Sequence, residues 1–461
     1  MNRITTILLV IACVSAPGAQ AKNVILFLGD GMGISTVTAA RILAGQQKGL
    51  AGEEYDLAFD KFENVALIKT YNVDAQVPDS AGTISAIVTG EKTRMGLLSV
   101  TADVQRGDCT ASLNNQVPTI LELAEEMGLS SGIVSTARIT HATPAGTYAH
   151  VSDRNWENSS EMTDAQRALG CTDIASQLVN FPHGDGIDVI LGGGRAQFLP
   201  TQQSDPEYTD KTGARDDGKN LVDKWRKQGS QRHYAWNQAG FDAFATHEGH
   251  QFMGLFERSH MQYDADRGGD VGGEPSIKAM TKFAIEQLQT NDKGYFLLVE
   301  GGRIDHAHHF GNAYRALTDT VAMADAVDQA VSMVDLKDTL ILVTADHSHT
   351  LTISGYPKRG NPILGKVEQV AGLPATPADV KPYTTLSYAN GGGYLKELPD
   401  LRNIDTTDLN YRQLATIPMP SETHAGEDVA AFATGKNAAA VRGVMEQNKL
   451  FNVMRDALLS N

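Results

Sequence analysis

The densest cluster of reactive side chains is the run EGGRIDHAHH at residues 300–309. Asp305 and His309 are four apart, so a helical backbone puts both on one face, where they can bind one metal ion. A solvated polar turn is the alternative reading of the same run. TADHSH at 344–349 sets Asp346 beside His347, offering a carboxylate and an imidazole to a single ion. LGDGMG at 28–33 closes an apolar run with Asp30, and its glycines allow close approach of the backbone. A Gly-x-Gly turn is common, so this one says little about phosphate. ETHAGED at 422–428 holds His424, which counts as a ligand only in the company of the others. Together these residues offer more oxygen and nitrogen donors than one ion needs. Histidines with carboxylates suit zinc, and an all-oxygen remainder suits magnesium. No cysteine joins them, which favours a catalytic over a purely structural zinc centre.

A nucleophile is available in VPDSAGTISAIVTG at 77–90. Ser80 stands where a helical pattern begins, so free amides and the helix dipole there favour a phosphate near its hydroxyl. A serine in that position also serves as an ordinary N-cap, and both readings stay open on local grounds. Nearby, Gly90-Glu91-Lys92-Thr93 imitates the end of a nucleotide-binding loop. It is rejected, because Glu91 separates glycine from lysine and the earlier glycine is missing.

These clusters need a scaffold. Short β-branched runs at Val24–Leu28, Ser131–Ser135, Ile187–Leu191, Gly294–Val299 and Thr339–Thr344 alternate with helical patterns at 34–45, 82–90, 118–127, 276–290 and 313–334. The alternation predicts an α/β fold with a mostly parallel central sheet and helices on both faces. Asp30 follows the first strand, Glu300 the fourth, and Asp346 with His347 the fifth. Ligand sites in such sheets gather at the carboxyl ends of strands, so one shared site is expected. Residues 200–275 are polar and rich in Gly and Asp, and residues 351–420 carry many Pro, Gly and Tyr. Both are read as insertions on one main domain, 22–461.

The chain has 461 residues, with 39 Lys and Arg against 55 Asp and Glu, so a broad nucleic-acid-binding surface is not expected. Arg3, the apolar stretch Ile4–Val14 and Ala19-Gln20-Ala21 form a secretory leader over 1–21, too short to span a membrane. Val10-Ile11-Ala12-Cys13 resembles a lipoprotein cleavage box, which would anchor the chain through Cys13, but the leader before it would be unusually short. Cleavage after Ala21 and export to the periplasm or the exterior are therefore expected. Two cysteines remain after it, Cys109 and Cys171. They form one disulfide, worth at most roughly 4 kcal/mol, or two separate buried thiols.

The ordered motifs match a family. DSAGT at 79–83, HATPAGTYAH at 141–150 with Arg154-Asn155-Trp156, GGGR at 192–195, EGGRIDHAHH, TADHSH and THAGEDV resemble the alkaline phosphatases, nearer the animal type than the best-known enterobacterial one. The resemblance runs from about Lys22 to the C-terminus. It implies broad hydrolysis of phosphate monoesters through a phosphoserine at Ser80, with two zinc ions and one magnesium. Asp305, His309 and His424 resemble the ligands of the first zinc. Asp30, Asp346 and His347 resemble those of the second, which Ser80 joins. Asp30 also reaches the magnesium, completed by Thr143 and Glu300. Arg154 matches the phosphate-clamping arginine, and His141 and His306 match positions beside magnesium-bound water and the phosphate, where the enterobacterial type has Asp and Lys. Glu207, the carbonyl of Phe256, Glu257 and Glu274 match a distant calcium site, although Glu274 stands where the family has Asp. Cys109 and Cys171 match a family disulfide, and 351–420 matches a crown-like insertion at the contact of a homodimer. Phosphodiesterases and sulfatases of the same superfamily usually carry threonine or a modified cysteine in place of Ser80. A non-catalytic phosphate- or metal-binding protein is disfavoured by the complete ligand set.

Overall fold

A computed structural model describes residues 22–370, 377 and 379–459. The leader, with Cys13 and the cleavage position after Ala21, lies outside the described residues. Among the described residues, ten strands form the main sheet: β1 (Lys22–Gly29), β2 (Asn64–Lys69), β3 (Ser130–Arg138), β4 (Val189–Gly193), β5 (Arg232–Ala235), β6 (Gln251–Leu255), β7 (Gly294–Gly301), β8 (Thr339–Ala345), β9 (Val429–Gly435) and β10 (Gly443–Glu446). Their order across the sheet is β10-β2-β9-β8-β1-β7-β3-β4-β6-β5. From β8 to β5 every neighbour is parallel, while β9 runs antiparallel to both β8 and β2.

β1, β7 and β8 occupy the middle, and Val24–Leu28, Leu297–Val299 and Leu340–Val343 are fully buried. A strand covered on both faces loses the usual alternation and becomes a continuous apolar run. Each such side chain contributes roughly 1.5–3 kcal/mol over an exposed one. Two groups of helices provide the cover. α1 (Ile34–Gln47) and α3 (Ile277–Leu288) both pack on α5 (Ala313–Met333), and α2 (Ser80–Thr89) packs with α6 (Lys449–Leu459). In α5, Asn312 caps the N-terminus by accepting from the Arg315 amide. Its buried stripe Ala316, Thr320, Met323, Val327 and Ala330 follows the helical period.

The expected strands and helices are present, with boundaries moved by a few residues. Residues 200–275 differ from expectation. They supply β5 and β6, which extend the sheet edge beyond β4. Residues 351–420 stand apart as a three-stranded sheet of Leu351–Ile353, Leu386–Gly391 and Ala415–Pro418. Cys109 and Cys171 form a disulfide, which decides between the two readings of that pair. Among the described residues, no helix is long and apolar enough to cross a membrane.

Candidate active site and its metal-ligand clusters

Strand register delivers the reactive groups to one place. Leu28 of β1 stands opposite Glu300 of β7 and Thr344 of β8, so the residues after each strand emerge at the same level. Ser135 of β3 also pairs with Glu300. Asp30, Glu300, Asp346 and His347 are all fully buried there. α4 (Arg303–His309) starts just after β7 and adds Asp305, His306 and His309.

Ser80 is the first residue of α2, but it is not the cap. Asp79 takes that role, accepting from the Gly82 amide. This frees the serine hydroxyl, which lies 3.5 Å from Asp30 Oδ1 and 3.2 Å from His347 Nε2. Asp79 also accepts from Nη1 of Arg154 at 3.1 Å, and Nη2 of Arg154 meets His141 Nε2 at 3.1 Å. The guanidinium is thus pinned on two sides next to the serine.

Three clusters of donor atoms surround Ser80. The first is Asp305, His309, His349 and His424. His309 and His424 face each other through Nε2 at 3.2 Å, and each Nε2 lies 3.3 Å from Asp305 Oδ1. Their Nδ1 atoms instead contact backbone carbonyls, of Glu422 at 2.6 Å and Pro78 at 2.8 Å. An Nδ1–H donated to a carbonyl fixes the tautomer and leaves each Nε2 a lone pair. Two such lone pairs aimed at each other and at a carboxylate repel unless a cation lies between them. The second cluster is Asp30, Asp346 and His347, with His347 Nε2 3.4 Å from Asp30 and 3.3 Å from Asp346. The third is Asp30, His141 and Glu300. Here Asp30 Oδ2, Glu300 Oε1, His141 Nδ1 and the Thr143 hydroxyl are buried without a hydrogen-bond partner.

Electrostatics point the same way. Burial, then the charges of Asp346, Asp305 and Glu300, hold the Asp30 carboxyl well above its ordinary range. Burial likewise pushes Glu300 up to about 8 and His306 down to about 3. Asp305 behaves oppositely. Burial raises it, but His309 and the hydrogen bond from His349 outweigh that and hold it well below the usual range. Burial lowers His349, but Glu422 and Asp305 outweigh that and push it up to about 10. Even with that cation and the Arg154 guanidinium, the buried carboxylates Asp30, Glu300, Asp305, Asp346 and Glu422 remain in excess, an arrangement that protein groups alone leave uncompensated. The orphaned oxygens and convergent nitrogens fit divalent cations.

Two members of this neighbourhood, His349 and His260, escaped the sequence reading. His349 sits between Asp305 (2.8 Å) and Glu422 (2.6 Å) and holds the aspartate in place. It belongs to TADHSH, whose first two reactive residues alone were singled out. His260 packs its ring 4.0 Å from His306, which in turn lies 5.4 Å from His141. His260 comes from a loop with no local signal. By contrast His308, in the middle of the histidine-rich run, turns into the core between Thr36 and Tyr388 and is structural.

A separate acidic cluster joins Glu207, Glu257 and Asp270. Glu207 pairs with Arg195 at 2.9 Å and Glu257 accepts from Tyr208 at 2.7 Å, while both oxygens of Asp270 lack partners. Asp270 was missed by the sequence reading. Glu274 lies beside the group rather than in it, with Oε1 accepting from the Gln262 amide and Oε2 unpartnered. Phe256, at the end of β6, packs its ring against Phe241.

Residues 21–460 match the family model described as alkaline phosphatase. The chain is 45% identical over 442 residues to the tissue-nonspecific alkaline phosphatase of Felis catus, covering 94% of this chain and 83% of that one. Over 443 residues it is equally similar to the Homo sapiens isozyme, with the same coverage.

The chain belongs to the alkaline phosphatase family.

Solved alkaline phosphatases share its fold. The Thermus thermophilus enzyme superposes with a TM-score of 0.68 at 23% identity, covering 95% of this chain and 92% of that one. The enzyme of the Antarctic bacterium TAB5 gives 0.64 at 21% identity, covering 96% and 99%, and a variant of it carries Mg in its M3 site. This alkaline phosphatase family member is therefore a metal-dependent phosphate-monoester hydrolase.

Proposed function

We propose that the protein hydrolyses phosphate monoesters through a covalent phosphoserine at Ser80. The observation that carries this is a serine relieved of capping by Asp79 and surrounded by Asp30, His347 and Arg154. The Ser80 oxygen attacks phosphorus, and the ester oxygen departs with its bonding pair. Water then attacks the same phosphorus, the Ser80 oxygen leaves, and phosphate and the free hydroxyl result. Arg154 receives two non-bridging phosphate oxygens with its planar fork, held in orientation by Asp79 and His141. His306 and His260 pack against His141 as neutral rings.

Two zinc ions and one magnesium fit the donor sets. Asp305, His309 and His424 would hold one zinc, and Asp30, Asp346 and His347 the other beside Ser80. Asp30, Glu300 and Thr143 would hold the magnesium. When bound, these ions ease ionisation of the serine and stabilise the negative charge on the attacking and leaving oxygens. His349 keeps Asp305 turned toward its site. The second acidic cluster offers oxygen donors alone, which suits calcium, with Asp270 joining Glu207 and Glu257 where Glu274 was expected.

We further read residues 22–461 as one domain bearing a crown-like insertion at 351–420, through which a homodimer forms. The leader at 1–21 directs export to the periplasm or the exterior, a setting in which the Cys109–Cys171 disulfide persists. The test is turnover of a chromogenic monoester and diester, before and after chelation. Monoester turnover that chelation abolishes and zinc with magnesium restores is the expected result. A preference for the diester, or full activity in metal-free protein, would overturn the reading.

A further inference from the structure

A cavity of about 380 Å³ opens beside α4. Three arginines and one aspartate line it, in a chain whose net charge is −16. The aspartate is committed, since Asp266 accepts from Arg315 at 2.6 and 3.0 Å. The other two guanidinium groups are not so engaged. Arg303 lies over the Tyr263 ring, 3.7 Å from its centroid, and its Nε is buried without a hydrogen-bond partner. Arg412 is exposed and makes one long hydrogen bond, 3.4 Å, to the Gly392 carbonyl. Phe310 completes the wall with 60% of its surface exposed, an unusual position for a large aromatic side chain.

The cavity adjoins the candidate active site through one helix face. Arg303, His306 and Phe310 are spaced by three and four residues, so they lie along the same side of α4 and its C-cap. His306 is the middle member and packs on His260. Gln262, two residues beyond His260, also lines the cavity. A substrate with its phosphoryl group at Ser80 and Arg154 would extend its leaving group along this face. The guanidinium groups of Arg303 and Arg412 favour a dianionic phosphate, and the exposed ring favours a planar or apolar body between the two phosphates.

We propose that this cavity is a leaving-group subsite for phosphate monoesters that carry a second phosphate. The proposal rests on the monoesterase reading above and specifies its substrate class. The second phosphate is bound and not cleaved while the first is transferred. Ester cleavage otherwise follows the balance already given, with water as the only co-reactant.

The test compares adenosine 3′,5′-bisphosphate with adenosine 5′-monophosphate as substrates of the metal-loaded enzyme, with p-nitrophenyl phosphate as reference. The wild-type enzyme should favour the bisphosphate in kcat/KM by roughly tenfold, the scale of one charge-assisted hydrogen bond. Added salt should erode that preference. Arg412→Gln, a change at an exposed position, should bring the ratio close to unity, whereas Arg412→Lys should retain part of it. Phe310→Ala should raise KM for both adenosine substrates relative to p-nitrophenyl phosphate. If the wild type turns over p-nitrophenyl phosphate but shows no preference, or if Arg412→Gln leaves the preference intact, the subsite is wrong while the monoesterase reading stands. If no monoester is turned over, the reading itself fails and the subsite with it.

Discussion

Two groups of buried carboxylates lie at opposite ends of the same strands. At the carboxyl ends, Asp30, Glu300, Asp305 and Asp346 surround Ser80. At the amino end of β3, Glu125 and Asp188 are also buried. Burial, opposed by the Ser131 hydrogen bond, leaves Glu125 pushed up to about 9, and burial pushes Asp188 up to about 7. The resemblance stops there. Ser131 donates its hydroxyl to Glu125 at 2.5 Å and its amide to Asp188 at 2.9 Å. Around Ser80, Asp30 Oδ2 and Glu300 Oε1 have no partner and the neighbouring imidazoles present lone pairs. A raised carboxyl group therefore does not mark a site by itself. Orphaned oxygens facing convergent imidazoles do.

The largest effect should come from the centre of the first group. Ser80→Ala should lower kcat by on the order of 10⁴-fold or more, as losing a covalent nucleophile does elsewhere. It should also abolish the phosphoenzyme trapped by acid quench, with metal content retained. A trapped phosphoenzyme in that variant would assign the chemistry to another residue. Next comes Arg154→Lys. An ammonium cannot reproduce the fork held between Asp79 and His141, so phosphate should inhibit roughly tenfold more weakly. An unaltered inhibition constant would place Arg154 away from phosphate.

How much of this was legible follows from physical causes. The five central strands announced themselves because burial on both faces favours apolar runs, and the polar residues ending three of them, Asp30, Glu300 and Asp346 with His347, named the site. β5 and β6 were hidden, since RHYA and QFMGL are short and set in polar sequence, and for β5 the edge position also relaxes the need for apolar continuity. β9, with the sequence VAAFATG, has too many alanines to advertise a strand. Ser80 could be found but not separated from capping, because Asp79 beside it competes for the same amides. Asp270 could not be chosen over Glu274 from spacing, since a loop of glycines between them fixes neither direction nor distance.

A third, smaller effect separates the acidic cluster from the histidine-rich one. Calcium should raise the unfolding temperature of wild-type protein holding its zinc and magnesium by a few degrees, and Asp270→Asn should remove most of that response. An equal response in the variant would exclude Asp270 from the site. The smallest effect concerns the satisfied pair. A carboxyl whose folded pKa is raised binds more protons folded than unfolded, so its contribution to stability falls as pH climbs from about 4 to the folded value. For Glu125 that decline ends near pH 9. Glu125→Gln should therefore flatten the loss of stability between pH 5 and 9, read as the denaturation midpoint in urea. A decline as steep as in the parent would mean that Glu125 is ionised throughout.

β9 carries a consequence for the order of events during synthesis. It lies between β8 and β2, and the segment leading into it sets His424 opposite His349 in a two-residue antiparallel pairing. Both the last histidine of the first cluster and the strand joining β2 to the sheet thus come from the final tenth of the chain. A partly made polypeptide still attached to the ribosome lacks them. It can hold neither a complete donor set around Asp305 nor a closed sheet beside β8, so activity arises only after the last strands are released and threaded into place.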